Sequence, residues 1–212
     1  SKKAIKEILR FQNTSINEFD LEEAVTVSLK VYFDYIYSLL SEHERVLFSM
    51  EKRVTYSKFR KIWYDQFERN NSLKEIGPDI SWHIIRTYIK GYDPYRTLTP
   101  ELYQKEVGKK LQTVKMDDFK QVYDEVFIKW YNDSGFWDDQ DLVRYLLEQS
   151  LLKEKFLAIF CDEAQDFTRI DIELFLQLST YTTKNLSSLR KDQISKIPIA
   201  FAGDEFQTLN PT

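Results

Sequence analysis

Cysteine occurs once in the 212 residues, at Cys161, and histidine only twice, at His43 and His83. A single thiol cannot close an intramolecular disulfide, and the expectation is a reducing, cytoplasmic compartment. Two distant histidines without cysteine partners lack the ligand spacing of a zinc site. Glycine and proline are scarce, five of each, so regular structure should dominate over linkers. Long apolar runs are missing too. The most apolar helical stretch, Val25 to Leu40, is interrupted by Lys30 and Asp34 and is too short for a bilayer. The opening Ser1-Lys-Lys-Ala-Ile-Lys-Glu has no apolar signal-peptide core. No membrane partner is expected, and a monomer is. There is no internal repeat, no Ser/His/Asp set with a local signature, and no Gly-x-x-x-x-Gly-Lys-[Ser/Thr] phosphate loop. The chain opens without methionine and closes on Leu209-Asn-Pro-Thr212, and the expectation is an internal fragment of something longer.

What is present is a globular composition, 42% hydrophobic and 30% charged, rich in aromatics. A formal net charge of -4 does not favour tight nucleic-acid binding by the chain as a whole, because such binding rests on neutralising phosphates. It leaves room for a local basic patch.

The first 150 residues read as mostly helical. Asp20-Leu-Glu-Glu23 has the form of a capping box for a helix to about Leu40. Val54–Phe67 places Phe59, Ile62, Trp63 and Phe67 on one helical face. Thr99-Pro100 pairs an N-cap with proline at the first helical position. Asp117 or Asp118 caps a helix with Phe119, Val122, Tyr123, Val126 and Trp130 on one side; Asp138 or Asp139 caps the next, with Leu142, Tyr145 and Leu146 inward. Asn70–Ile80 and Lys90–Tyr95 read as loops.

The pattern changes at Phe156. Phe156–Cys161 is apolar without alternation, as in a strand buried on both faces of a parallel sheet. Thr168-Arg-Ile-Asp171 is a second capping-box pattern, opening a helix with Ile170, Leu174, Phe175 and Leu178 on one stripe. A second apolar run, Ile197–Ala202, follows. The expected fold is α/β, predominantly α-helical, with residues 151–212 forming a βαβ unit of parallel strands. Both strands then end on one sheet edge, where open α/β sheets bind ligands. Asp162-Glu163 stands at one tip and Gly203-Asp204 at the other. An acid at the tip of a hydrophobic strand is the Walker B arrangement: Asp162 holds Mg²⁺ and Glu163 orients or deprotonates the attacking water. The alternative is that the two acids merely open a polar loop.

Asp162-Glu163-Ala164-Gln165-Asp166 and Gly203-Asp204-Glu205-Phe206-Gln207 resemble motifs II and III of the UvrD/Rep-like superfamily 1 helicases. These are RecA-fold motors that move on single-stranded nucleic acid using ATP. The resemblance implies Asp162 as the Mg²⁺ ligand and Glu163 as the general base for attack on the γ-phosphate. It implies Gln207 as the γ-phosphate sensor, with Gln165, Asp166 and Asp204 tying the nucleotide site to neighbouring motifs and Gly203 fitting the need for close backbone approach. ATP and Mg²⁺ would be the cofactors, and single-stranded DNA, or RNA, the partner. Ile80–Tyr92, Leu98–Lys110 and Trp137–Leu147 resemble the segments before motif II in one branch of the family, which includes tetratricopeptide-and-ankyrin-repeat proteins. There the region is a helical insertion, termed 1B, in the first RecA-like domain; the first fifty residues match no such pattern.

Departures set limits. Without the phosphate loop and the second RecA-like domain, the 212 residues alone are expected to have no ATPase. Thr208-Leu209-Asn210-Pro211 replaces the family's usual Ser-Ile-Tyr after motif III, which removes a base-stacking aromatic. Lys52, Arg53, Lys58, Arg60 and Lys61, interleaved with Tyr56 and Trp63, are nucleic-acid contact candidates, or else the solvated face of a helix. Asp138, Asp139 and Asp141 with Asp162 and Glu163 would make a two-metal nuclease; a helix cap and structural acids are the plainer reading. Cys161 reads as a small buried hydrophobe. A helicase-like scaffold with a degenerate motor is the competing class.

Overall fold

The computed structural model describes residues 32–107, 114–152, 156, 159–179 and 199–203. Contacts divide the chain into two compact units, Ser1–Ser38 and Leu39–Thr212. The first contributes one described helix, α1 (Tyr32–Ser38); the Asp20–Glu23 box expected to open it lies outside the described residues. The second unit begins with α2 (Glu42–Leu47), α3 (Tyr56–Phe67) and α4 (Asn71–His83). Helix α4 continues as a wider π-helical segment, Ile84–Lys90. Then come α5 (Pro100–Glu106) and α6 (Met116–Gln121), the latter running into a second π-helical segment, Val122–Asn132. Helix α7 (Asp139–Glu148), β1 (Ile159–Cys161), α8 (Arg169–Leu178) and β2 (Ile199–Phe201) complete the order. The described fold is predominantly helical with one small two-stranded parallel sheet. Among the described residues no helix is long and apolar enough to cross a membrane.

Periodicity explains the helices. Phe59 and Trp63, four apart on α3, are both buried and join Leu73, Trp82, Ile85, Ile89, Leu98, Tyr103, Phe119, Val122 and Val126 in one core. Each such side chain contributes about 1.5–3 kcal/mol through burial. Tyr103 and Phe119 stack at 4.1 Å, and the Tyr103 hydroxyl donates to the Val114 carbonyl at 2.8 Å. The polar end of the buried Tyr103 ring is thereby satisfied. Thr99 caps α5 with Pro100 in its first turn. Asp138 caps α7 in a reciprocal box with Asp141.

Three expectations are corrected. Asn70–Ile80 is not a loop. Asn70 accepts from Ser72 N and Leu73 N, and the helix buries Leu73 and Ile76 before breaking at Gly77 (φ 77°), after which Pro78 resumes it. Neither Asp117 nor Asp118 caps α6; Lys115 occupies the N-cap position without a side-chain capping bond, and the two acids sit in the first turn, where the positive end of the helix dipole favours them. The strands are shorter than the apolar runs and not buried on both faces. Ile159 and Phe160 are half-buried, Ala200 and Phe201 are exposed, and among the described residues no third strand covers an edge.

The sheet segment joins the helical layer through polar bonds. Ile170 N donates to Gly91 O at 3.2 Å, and the Arg169 guanidinium lies 4.4 Å from the Tyr92 ring centre. Gln140 of α7 donates to Asp171 of α8 at 3.4 Å and accepts from Arg86 at 3.1 Å. Asp171, fully buried, accepts from both Thr168 N (2.9 Å) and Thr168 Oγ1 (2.7 Å). These bonds fix the N-cap of α8, Thr168, two residues beyond Asp166.

Candidate functional site

The register sets the geometry. Ile159, Phe160 and Cys161 pair with Ile199, Ala200 and Phe201, in parallel. The pairing continues past the strands: Ala202 N donates to Cys161 O and Ala164 N donates to Ala202 O, both at 2.8 Å. Asp162, Glu163, Gln165 and Gly203 are therefore drawn to one sheet edge. Cys161, just beneath, is buried, and burial pushes its thiol up to about 12. It is a packing residue, not a nucleophile.

The turn after β1 is tightly specified. Glu163 has φ 53° and ψ 45°, a left-handed conformation that costs a non-glycine residue about 1 kcal/mol or more. Local bonds offset that strain. Glu163 N donates to Asp162 Oδ1 at 3.1 Å, and Asp166 N donates to Glu163 O at 2.9 Å, closing a 3₁₀ turn over Ala164–Asp166. Gln165 Nε2 donates to Glu163 Oε2 at 2.6 Å. Its amide oxygen lies against Gly203. A methyl group at position 203 would overlap Gln165 Oε1 and stand 3.2 Å from Ala164 N. Glycine at this tip allows β2's exit to touch the acid turn.

Asp162 and Glu163 are exposed, and among the described residues no basic side chain forms an ion pair with either. Two adjacent carboxylates, one held by its own backbone and the other by an amide, can accept a hydrated cation and orient a water. Asp204 and Gln207, the remaining predicted members of the site, lie outside the described residues.

The acids upstream form a different structure. Lys90, 4% exposed, pairs with Asp138 at 2.9 Å and with Asp141, and its ammonium lies 4.0 Å from the Tyr131 ring centre. Tyr131 donates to Asp138 at 3.0 Å, and Arg53 holds Asp139 in a bidentate grip. Burial alone would raise Asp138, but the Lys90 charge and hydrogen bond hold it below the usual carboxylate range. For Asp141, burial dominates and lifts the carboxyl to about 6, against the pull of Lys90 and with a push from Asp138. Among the described residues no group of three or more His, Cys, Asp or Glu side chains converges as a metal site. The two-metal arrangement of Asp138, Asp139, Asp141, Asp162 and Glu163 thus has no geometric support. The Thr168/Asp171 box is local and legible in the sequence, whereas the links of Lys90 to Asp141 and of Gln140 to Asp171, 51 and 31 positions apart, leave no local trace.

The nucleic-acid candidates on α3 separate. Trp63 is 1% exposed and belongs to the core with Phe59, so it offers no face to a base. Lys58 is tethered, its ammonium donating to Glu51 O and to Arg53 O at 3.0 Å. Tyr56 is half-buried against Trp82, with ring centres 6.2 Å apart. Arg60 and Lys61 are exposed. Comparison with protein-family models, curated proteins and solved structures finds no match.

Proposed function

We propose that this chain is part of an ATP-dependent motor of the UvrD-like superfamily 1 helicase type. In this reading the helical layer is an insertion of 1B type, and residues 151–212 belong to a RecA-like nucleotide-binding domain. The observation that carries the proposal is the convergence of Asp162, Glu163, Gln165 and Gly203 at adjacent parallel strand tips, stitched by the Ala202 and Ala164 amides.

Asp162 ligates Mg²⁺, and Glu163 accepts the proton of the water that attacks the γ-phosphate. Gln165 steers the Glu163 carboxylate. Gly203 keeps the second strand tip in contact with the acid turn, and Gln207 is assigned the γ-phosphate on the sequence resemblance alone. The phosphate-binding loop and the arginine that complete hydrolysis come from polypeptide outside these 212 residues.

The test compares two preparations. The 212-residue chain should show no ATP turnover, and the complete gene product carrying it should hydrolyse ATP faster with single-stranded DNA. Clear Mg²⁺-dependent turnover by the 212 residues alone contradicts the division of labour. No turnover by the complete product moves the protein into the scaffold class.

A further inference from the structure

The exposed face of α3 has a feature of its own. Ser57, Arg60, Lys61 and Tyr64 recur at helical spacing on the side away from Phe59 and Trp63, and all four are exposed. With Tyr56 they line an open depression of about 370 Å³. Two aromatic rings border it, each braced from behind. Tyr64 stands edge-on to the buried Trp63 at 5.5 Å, and Tyr56 leans on Trp82. The Arg60 guanidinium lies 5.9 Å from the centre of the Tyr64 ring. Among the described residues neither Arg60 nor Lys61 has an ion-pair partner. The helix's acids, Asp65 and the capping Glu68, stand beyond Tyr64 at its far end.

We infer that this face of α3 binds single-stranded nucleic acid, with Arg60 and Lys61 on successive phosphates and a base stacked on Tyr64. The chemistry favours this occupant. Two cations that form no ion pair among the described residues suit a polyanion, and an exposed, braced ring suits an unstacked base. Bases inside a duplex are stacked on one another and offer Tyr64 no free face. A lipid surface would call for apolar side chains to insert, and the lining residues are polar or tyrosine. The surface lies on the helical layer and needs neither nucleotide nor metal, so it stands or falls independently of the strand-tip site.

The test is fluorescence anisotropy of the 212-residue chain with a labelled oligo-dT, about 20 nucleotides so as to span several stacking positions, with chelator present and ATP absent. Binding should weaken with salt. Charge reversal by Arg60→Glu with Lys61→Glu should cost at least about tenfold in affinity and lower the log–log salt slope by about 1.4, two phosphates' worth for a single strand. Tyr64→Ala should cost about tenfold with the slope unchanged. Lys129→Glu, at an exposed position elsewhere, should have little effect. Because all three substituted side chains are exposed, circular dichroism should stay unchanged; the neutral Arg60→Gln with Lys61→Gln pair repeats the test without reversed charge. No binding by the wild type overturns the inference, as do variants that bind like wild type. Equal competition by blunt duplex, or Tyr64-dependent binding to anionic vesicles, also overturns it by naming another occupant.

Discussion

Replacing Lys90 with methionine tests the buried charge cluster on which α7 is anchored. The two side chains are similar in length and volume, so little cavity is created. What changes is charge. Asp138, 2% exposed, loses a 2.9 Å partner, Asp141 loses the same ammonium, and Tyr131 loses a cation at 4.0 Å. Two neighbouring carboxylates are left with only the Tyr131 hydroxyl and the cap amides. Removing one partner of a buried pair in this way costs about 3–5 kcal/mol. In a chain of this size that lowers Tm by roughly 6–20 °C. Urea unfolding followed by circular dichroism reads it directly. Lys90→Met with Asp138→Asn should recover a large part of the loss, because asparagine still caps the helix and accepts from Tyr131. Lys129→Met is the control. Its pair with Glu125 is exposed on both sides (63% and 40%), and its loss should cost less than about 0.5 kcal/mol. If Lys90→Met costs under about 1 kcal/mol, or the double variant is no better than the single one, the cluster is not the buried anchor described.

Two further outcomes follow from the same geometry. Asp141 holds its proton to about pH 6 in the folded chain, whereas an unfolded aspartate releases it near 3.9. Between those values the native state binds more protons, so this contribution to stability grows as pH falls from about 7 to about 4 and is fully present below the unfolded value. Asp138 is shifted the other way, and its contribution is lost only as pH falls below the ordinary aspartate range. The urea midpoint measured against pH should rise from about pH 7 toward pH 4 in the wild type relative to Asp141→Asn; parallel profiles would contradict the assignment. At the strand tips, Gly203→Ala should lower global stability by less than about 1 kcal/mol, since the overlapped Gln165 amide can swing away. The Gln165 side-chain amide resonances should nevertheless shift as its bond to Glu163 breaks. Unchanged resonances would mean that the two tips are not in contact.

Much of the helical layer could be read from spacing and capping chemistry. Thr99-Pro100, the cap at Asp138 (one of the two acids the sequence offered) and the Ile170–Leu178 stripe stand where local pattern puts them, because each is decided within one or two turns. Asn70–Ile80 misled because Gly77-Pro78 reads as a loop signal, yet one left-handed residue between two helical pieces satisfies both glycine and proline. Trp63 shows a conflict visible beforehand. It shares a face with Phe59 at i,i+4, and that periodicity already opposed an exposed role. Tyr64 could have been found by the same logic, as the aromatic four positions beyond Arg60 on the opposite face. Parallel pairing of the two strands was legible from the strand–helix–strand pattern. Their partial exposure was not, because burial of a strand depends on what packs over it rather than on its own sequence.

The proposed function rests on Glu163 as the base beside a metal held by Asp162. The most direct measurement is ATP turnover by the complete gene product, with single-stranded DNA present, for wild type and Glu163→Gln. Glutamine keeps the shape and can still bond to Gln165, but it cannot take a proton. Nucleotide binding should persist while turnover falls by about 10²–10⁴-fold, the usual contribution of a general base. A Glu163→Gln protein that hydrolyses ATP as fast as wild type would contradict the claim.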